Sequence, residues 1–150
     1  MPSDPDAAPS RLLSKPTWLI GQVSVHAHRL LTEALAGAGA RGYHYRLLAA
    51  LDEFGPASQA TLGRRTEMDR SDVVAALNEL AAQGFVERTA DPDDRRRNVV
   101  TITPAGQGRL GRLDDLLAGV QDQLLMPLSA RERRVLTDLL ARALEHQSTP

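Results

Sequence analysis

The chain has 150 residues, a formal net charge of −1, 42% hydrophobic residues and only 3% aromatics. That size allows one domain or two small ones, with a core of leucine, alanine and valine, and the composition favours helices. The lack of cysteine excludes disulfides, thiol redox chemistry and thiolate metal sites, and a charge so near zero excludes a uniformly basic surface.

Residues 1–13 are rich in Pro, Asp, Ser and Ala and read as a loose tail. The tail has neither the basic start nor the apolar run of a secretory signal, and no segment approaches membrane-spanning length, so a cytoplasmic location without membrane association is expected. Ser14, as a cap, and Pro16 signal a first helix. Its apolar residues recur at helical spacing as Leu19, Val23 and Leu30, with Ile20, Ala27, Leu31 and Leu35 one step round. A glycine–alanine run at 36–42 stops it. A second helix carries Tyr45, Leu47, Leu48 and Leu51 and ends at Gly55-Pro56. Ser58 caps a short third helix containing Ala60 and Leu62. After a break at Glu67-Met68, Asp69 is placed to cap a fourth helix, with Val73, Ala76, Leu77 and Leu80 as its buried stripe and Gly84 as its C-terminal cap.

The next segment is the most informative. Gly84-Phe85-Val86-Glu87-Arg88 opens a short β run, a Pro/Asp turn carries Arg95, Arg96 and Arg97, and a second alternating strand covers 99–103. This is a two-stranded hairpin with a cationic tip, directly after a helix-turn-helix pattern. Three arginines are held cheaply on a tip only if they face water or an anion, and beside a helix-turn-helix that anion is DNA. Thr103-Pro104 then opens a long helix with the stripe Leu110, Leu113, Leu117, Val120 and Leu124, which Pro127 ends. Ser129 and Glu132 form a capping box for a last helix with Val135, Leu136, Leu139, Leu140 and Leu144.

The expected fold is mainly α with a small β-hairpin wing. A winged helix-turn-helix over 43–103 is bracketed by an N-terminal dimerisation helix at 14–42 and C-terminal dimerisation helices at 104–147. The flanking helices carry more apolar surface than so small a domain can cover, and each leucine left exposed forgoes about 1.5–3 kcal/mol, so a second copy should cover them. On the fourth helix, Arg70, Ser71, Val74 and Asn78 lie away from the buried stripe, where a recognition helix meets DNA. Asn bonds adenine bidentately, and Arg bonds guanine or phosphate.

Three segments together carry a family resemblance: DRSDVVAALNELAAQGFVER at 69–88, DPDDRRR at 91–97 and VTITPAG at 100–106. They match Gly-Leu-Val-x-Arg, the Asp-x-Arg wing and Leu-Thr-x-x-Gly, and the chain resembles the MarR family of winged-helix transcriptional regulators over about residues 16–146. The resemblance implies a homodimer on a pseudo-palindromic operator in double-stranded DNA, often released by a small phenolic or carboxylate effector. It also implies that Arg96 enters the minor groove, that Asp94 orients it, and that Arg95 and Arg97 contact phosphates. Three departures stand out. Ala75 and Glu79 occupy positions where the family often has arginine, Asp72 sits where threonine is common, and His44-Tyr45 replaces a Gln-aromatic pair. The recognition helix should therefore grip phosphate weakly, with the wing and Arg64-Arg65 compensating.

Trp18 offers either an interface anchor or a stacking face for an aromatic effector, and Tyr43, His44 and Arg46 could line the same space, with His26 nearby on the first helix. His26 and His28 are two apart and point to different sides, so no metal site is expected. No cofactor motif and no catalytic constellation occurs, and the chain is not expected to be an enzyme. The function expected is a sequence-specific regulator, most simply a repressor. The alternative is a winged-helix module that binds protein instead of DNA, to which Asp72, Ala75 and Glu79 lend weight.

Overall fold

A computed structural model describes residues 4–150, so the part of the expected tail at residues 1–3 lies outside the described residues. The elements run α1 (Ser10–Leu13), α2 (Pro16–Gly37), α3 (Gly42–Phe54), β1 (Ala57–Ser58), α4 (Gln59–Thr66), α5 (Arg70–Ala82), β2 (Val86–Ala90), β3 (Asn98–Ile102), α6 (Pro104–Leu124) and α7 (Ala130–Ser148).

The tail is not wholly loose, because α1 forms one helical turn within it. Ser14 closes that turn, donating its hydroxyl to the Arg11 carbonyl at 2.9 Å, and the N-cap of α2 is Lys15. The proline at the start of α2 does what was expected; the serine serves the preceding turn instead.

The core gathers on α3, α4 and α5. Leu47, Leu48 and Leu51 on α3, Leu62 on α4, and Val73, Ala76, Leu77 and Leu80 on α5 are buried together with Val86, Val100, Leu110 and Leu113. These positions recur at three- and four-residue steps, so each helix turns one stripe inward. The sheet has three antiparallel strands in the order β1-β3-β2, not the two of the expected hairpin. Ala57 pairs with Val100 and Ser58 with Val99. A two-residue strand shows no periodicity, which is why the sequence hid it.

Leu110, Leu113 and Val120 on α6 are buried inside this chain, so part of the α6 stripe is covered without a second copy. By contrast α7 buries no residue. Its Val135, Leu139, Leu140 and Leu144 remain 49%, 52%, 44% and 64% exposed, and Leu19, Ile20 and Val23 on α2 are also exposed. Within the chain α7 is anchored at its start: Arg133 donates to Asp122 at 2.6 Å and to the Leu128 carbonyl at 3.1 Å. The Ser129 and Glu132 capping box forms, and the Ser129 backbone and hydroxyl bonds hold the Glu132 carboxyl below its usual value.

Candidate nucleic-acid interface

Helix α5 is defined sharply at its end and loosely at its start. Gly84 adopts φ +79, its N–H donates to the Ala81 carbonyl, and the next N–H, of Phe85, reaches back to Leu80 at 2.9 Å. That pair of bonds closes the helix in a left-handed turn, which glycine enters without a Cβ clash. Asp69 is the N-cap residue, but its side chain makes no capping bond, contrary to expectation. The turn before it is instead held by Met68, which is buried, and by Glu67 at φ 52. Helix α4, this turn and α5 make the helix-turn-helix.

On α5, Arg70, Ser71 and Asn78 are exposed and Val74 is half-buried. Asn78 is not free. Its Oδ1 accepts from Arg88 Nη1 at 2.7 Å, which takes one of the oxygen's two lone pairs and fixes the amide's orientation. Arg88 was missed as a site residue. The available signal was its position two residues after Val86, on the inward face of β2.

The wing loop is built from aspartates. Asp91 Oδ1 accepts from the Asp93 N–H at 2.9 Å, and the Asp91 N–H closes onto the Arg97 carbonyl at 2.8 Å. Asp94 Oδ1 accepts the backbone N–H of Arg96 at 3.0 Å, while its Oδ2 lies 3.8 Å from Arg97 Nε. Asp94 thus orients the Arg97 side chain and the Arg96 backbone, not the Arg96 guanidinium. Arg95, Arg96 and Arg97 are all exposed. Arg96 and Arg97 face Arg64 across a cleft of about 270 Å³, floored by Ser58, Gln59 and Thr61 at the start of α4. Thr61 Oγ1 accepts from Ser58 at 3.1 Å and from Arg64 at 3.2 Å. Three cations and a helix N-terminus around one opening make a local positive field in a chain of net charge −1. Arg65 lies on the other side of α4, its guanidinium 4.6 Å from the Phe54 ring.

Glu79, which seemed to place negative charge on the DNA face, is engaged within the chain. Its carboxylate accepts from Arg41 Nη2 at 2.8 Å and meets His44 Nε2 at 2.6 Å. Partial desolvation raises its pKa, but the His44 hydrogen bond and the Arg41 charge outweigh that and hold it below its usual value. His44 is buried, and its Nδ1 accepts from the Arg41 backbone N–H at 3.2 Å. Both ring nitrogens are used, so His44 is a structural tie rather than an open effector ligand. Tyr43 and Arg46 do come together, with the Arg46 guanidinium 5.7 Å and that of Arg41 5.9 Å from the Tyr43 ring. Trp18 is half-buried on α2, and His26 on the same helix is exposed. Tyr45 donates to Asp114 at 2.6 Å, and that bond, with burial and the Asp114 charge, pushes its pKa up to about 12. Arg109 donates to the Ala38 carbonyl at 2.5 Å and lies 5.5 Å from the Phe85 ring, joining the end of α2 to the end of α5.

Fold and site together define a winged helix-turn-helix with a cationic wing. The family model that matches residues 39–97 is that of the MarR family. NicR, an HTH-type transcriptional repressor of Pseudomonas putida, is 30% identical over 98 residues, which are 65% of this chain and 62% of NicR. The crystal structure of a probable transcriptional regulator from Pseudomonas aeruginosa superposes with a TM-score of 0.77 at 33% identity, covering 89% of this chain and 99% of that one. The PcaV transcriptional regulator of Streptomyces coelicolor, solved in complex with its natural ligand, gives a TM-score of 0.73 at 26% identity, covering 93% of this chain and 98% of its own. The chain spans 55 to 62% of the length of the first curated relatives it matches. It belongs to the MarR family of winged-helix transcriptional regulators. Members of that family are regulators and not enzymes. Among the described residues no helix is long and apolar enough to cross a membrane.

Proposed function

We propose that this chain is a cytoplasmic, homodimeric regulator that binds a pseudo-palindromic operator and represses transcription from it. The observation that carries this reading is the cleft where Arg96 and Arg97 of the wing face Arg64 of α4. Such a cluster recognises a phosphodiester backbone by charge, while the exposed start of α5 reads base edges. The alternative of a protein-binding winged helix loses one of its three supports, because Glu79 turns to Arg41 and His44. The exposed apolar faces of α2 and α7 suit a second copy, with 14–42 and 104–147 as dimerisation layer and 43–103 as DNA-binding unit. NicR is a repressor and PcaV has a natural ligand, which supports repression relieved by a small molecule. We assign that effector to the phenolic or carboxylate class, near Trp18, Tyr43 and Arg46, where a stacking face and a guanidinium are available.

Selection of bound sequences from random duplex DNA, followed by affinity against salt, tests the reading. An operator with two related half-sites is expected. Log affinity should fall with log salt at a slope of at least about −4, since each neutralised phosphate contributes about −0.9. A nearly flat salt dependence would sink it. For the effector, Trp18 fluorescence should change saturably with an aromatic acid over the concentration range in which the same acid releases DNA. Release of DNA without any change at Trp18 would place the effector elsewhere.

A further inference from the structure

Thr61 is the centre of a small hydrogen-bonded set at the start of α4. Its Oγ1 meets Ser58 Oγ at 3.1 Å and accepts from Arg64 Nη2 at 3.2 Å, while its backbone N–H donates to Ser58 Oγ at 3.2 Å. The two hydroxyls carry two hydrogens, and the bond between them uses one, whichever way it points. The other hydrogen has no acceptor among the described residues. Both residues are half-buried and line the cleft of about 270 Å³ between α4 and the wing.

The charges around that cleft are out of balance. Arg64, Arg96 and Arg97 line it, and among the described residues only Arg97 has a carboxylate near, that of Asp94 at 3.8 Å. Like charges gathered on one opening repel unless an anion sits between them. The spare hydroxyl hydrogen and the guanidinium N–H groups are all donors, so the opening suits an anion with several acceptor oxygens. Helix α4 is the first helix of the helix-turn-helix, the one that crosses the DNA backbone in such motifs.

We propose, on the DNA-binding reading above, that the cleft seats one phosphodiester group of the operator, shared between Arg64 and the Ser58–Thr61 hydroxyl pair on α4 and Arg97 on the wing. Arg97 is the wing partner because Asp94 restrains its guanidinium, whereas Asp94 holds Arg96 through its backbone N–H. One phosphate then bridges helix and wing, and Ser58 and Thr61 join the interface.

The test uses the operator obtained by selection, with single phosphates of one half-site replaced in turn by neutral methylphosphonate. Wild type, Thr61→Val, Thr61→Ser, Arg64→Ala, Arg97→Ala and Arg112→Ala are compared, each checked for folding by thermal melting. Ser58 is left in place because it caps α4. In wild type one linkage should stand out, where neutralisation weakens binding on the order of tenfold. Groups that share a phosphate are not additive, so at that linkage the penalty should shrink to about twofold or less in both Arg64→Ala and Arg97→Ala. Thr61→Val should lower it in part, and Thr61→Ser, which keeps the hydroxyl, should restore it. Arg112→Ala should show the full penalty. If Arg64→Ala and Arg97→Ala each abolish the penalty at a different linkage, or neither changes it, the shared seat is overturned. Those two variants decide the matter even if Thr61→Val does not fold. Inorganic phosphate, compared with chloride at equal ionic strength, should displace operator only in the millimolar range. Displacement at micromolar phosphate would give the cleft to a free phosphate ligand and overturns the proposal. A wild-type protein that enriches no operator overturns the DNA-binding reading itself, whereas an operator without a shared linkage overturns the seat alone.

Discussion

Nε2 of His44 lies 2.6 Å from Oε2 of Glu79, joining α3 to the recognition helix α5. Because Nδ1 already accepts the Arg41 backbone N–H, the proton of the neutral ring must sit on Nε2 and point at the carboxylate. Arg41 completes the set at 2.8 Å, so the acid is balanced by groups of its own chain. Arg41 and His44 thus tie α5 to the start of α3.

Removing that carboxylate should therefore cost stability even though Glu79 is partly exposed. Glu79→Ala leaves the buried Nε2 without an acceptor, a loss of about 1–3 kcal/mol. The carboxyl is held below its usual value of 4.5, so its stabilising contribution is full above that pH and disappears as pH falls through the lower folded value. Urea melts at about pH 6 and about pH 3 check this: the gap between wild type and Glu79→Gln should narrow in acid. A gap of constant size would remove the ion pair from the account.

Gly106→Ala should be among the most damaging substitutions in the chain. A Cβ at this position would lie 2.1 Å from the Phe85 carbonyl oxygen and 2.8 Å from Ile102 Cγ1. The first neighbour is backbone and cannot swing away, because the Phe85 carbonyl also accepts from the Thr103 N–H at 3.1 Å. A loss of roughly 3 kcal/mol or failure to fold is expected, at or beyond the upper end for overpacking. Thermal melting that matches wild type would contradict the close approach of α6 to the end of α5.

Arg96→Ala should weaken operator binding more than Arg112→Ala, with folding unchanged. Arg96 lines the cleft opposite Arg64, whereas Arg112 is exposed on α6 away from the wing. One charge-assisted contact is worth about 1–3 kcal/mol, and a symmetric dimer loses it twice. Titration of labelled operator with both variants decides it; equal affinity for the two would displace the wing from the interface.

Of the two tyrosines, Tyr45 should ionise late. Its pKa is pushed up to about 12 by the bond to Asp114, so the tie stabilises the fold below the ordinary value of 10.0 and is lost as pH rises toward 12. Ultraviolet titration of phenolate should show one step delayed in wild type, and Tyr45→Phe should remove that late step.

Leu139→Arg should convert a dimer to a folded monomer. Leu139 is 52% exposed on a helix that buries nothing within its own chain, between Val135 and Leu140 on the same apolar surface. Covering such a leucine is worth about 1.5–3 kcal/mol per copy. Sedimentation at micromolar concentration gives the answer, with circular dichroism as the check on folding. A wild-type protein that is already a stable monomer would refute the dimer.

The sequence alone determined the helices, their caps at Ser58, Thr103 and Ser129, the wing and its arginines, because these depend on periodicity and on side chains acting within a few residues of themselves. It also carried the family motifs. Tertiary structure decided the rest. The strand Ala57–Ser58 exists only because β3 lies beside it. Leu110 and Leu113 of α6 entered the core while Leu139 and Leu144 of α7 stayed outside, although the two leucine stripes look alike as sequence. Glu79 reads as a charge on the recognition helix until His44, 35 positions earlier, is placed against it, and Asn78 reads as a free amide until Arg88, 10 positions later, takes its oxygen. Which partner a polar side chain finds depends on distance in space, and periodicity along the chain carries no information about it.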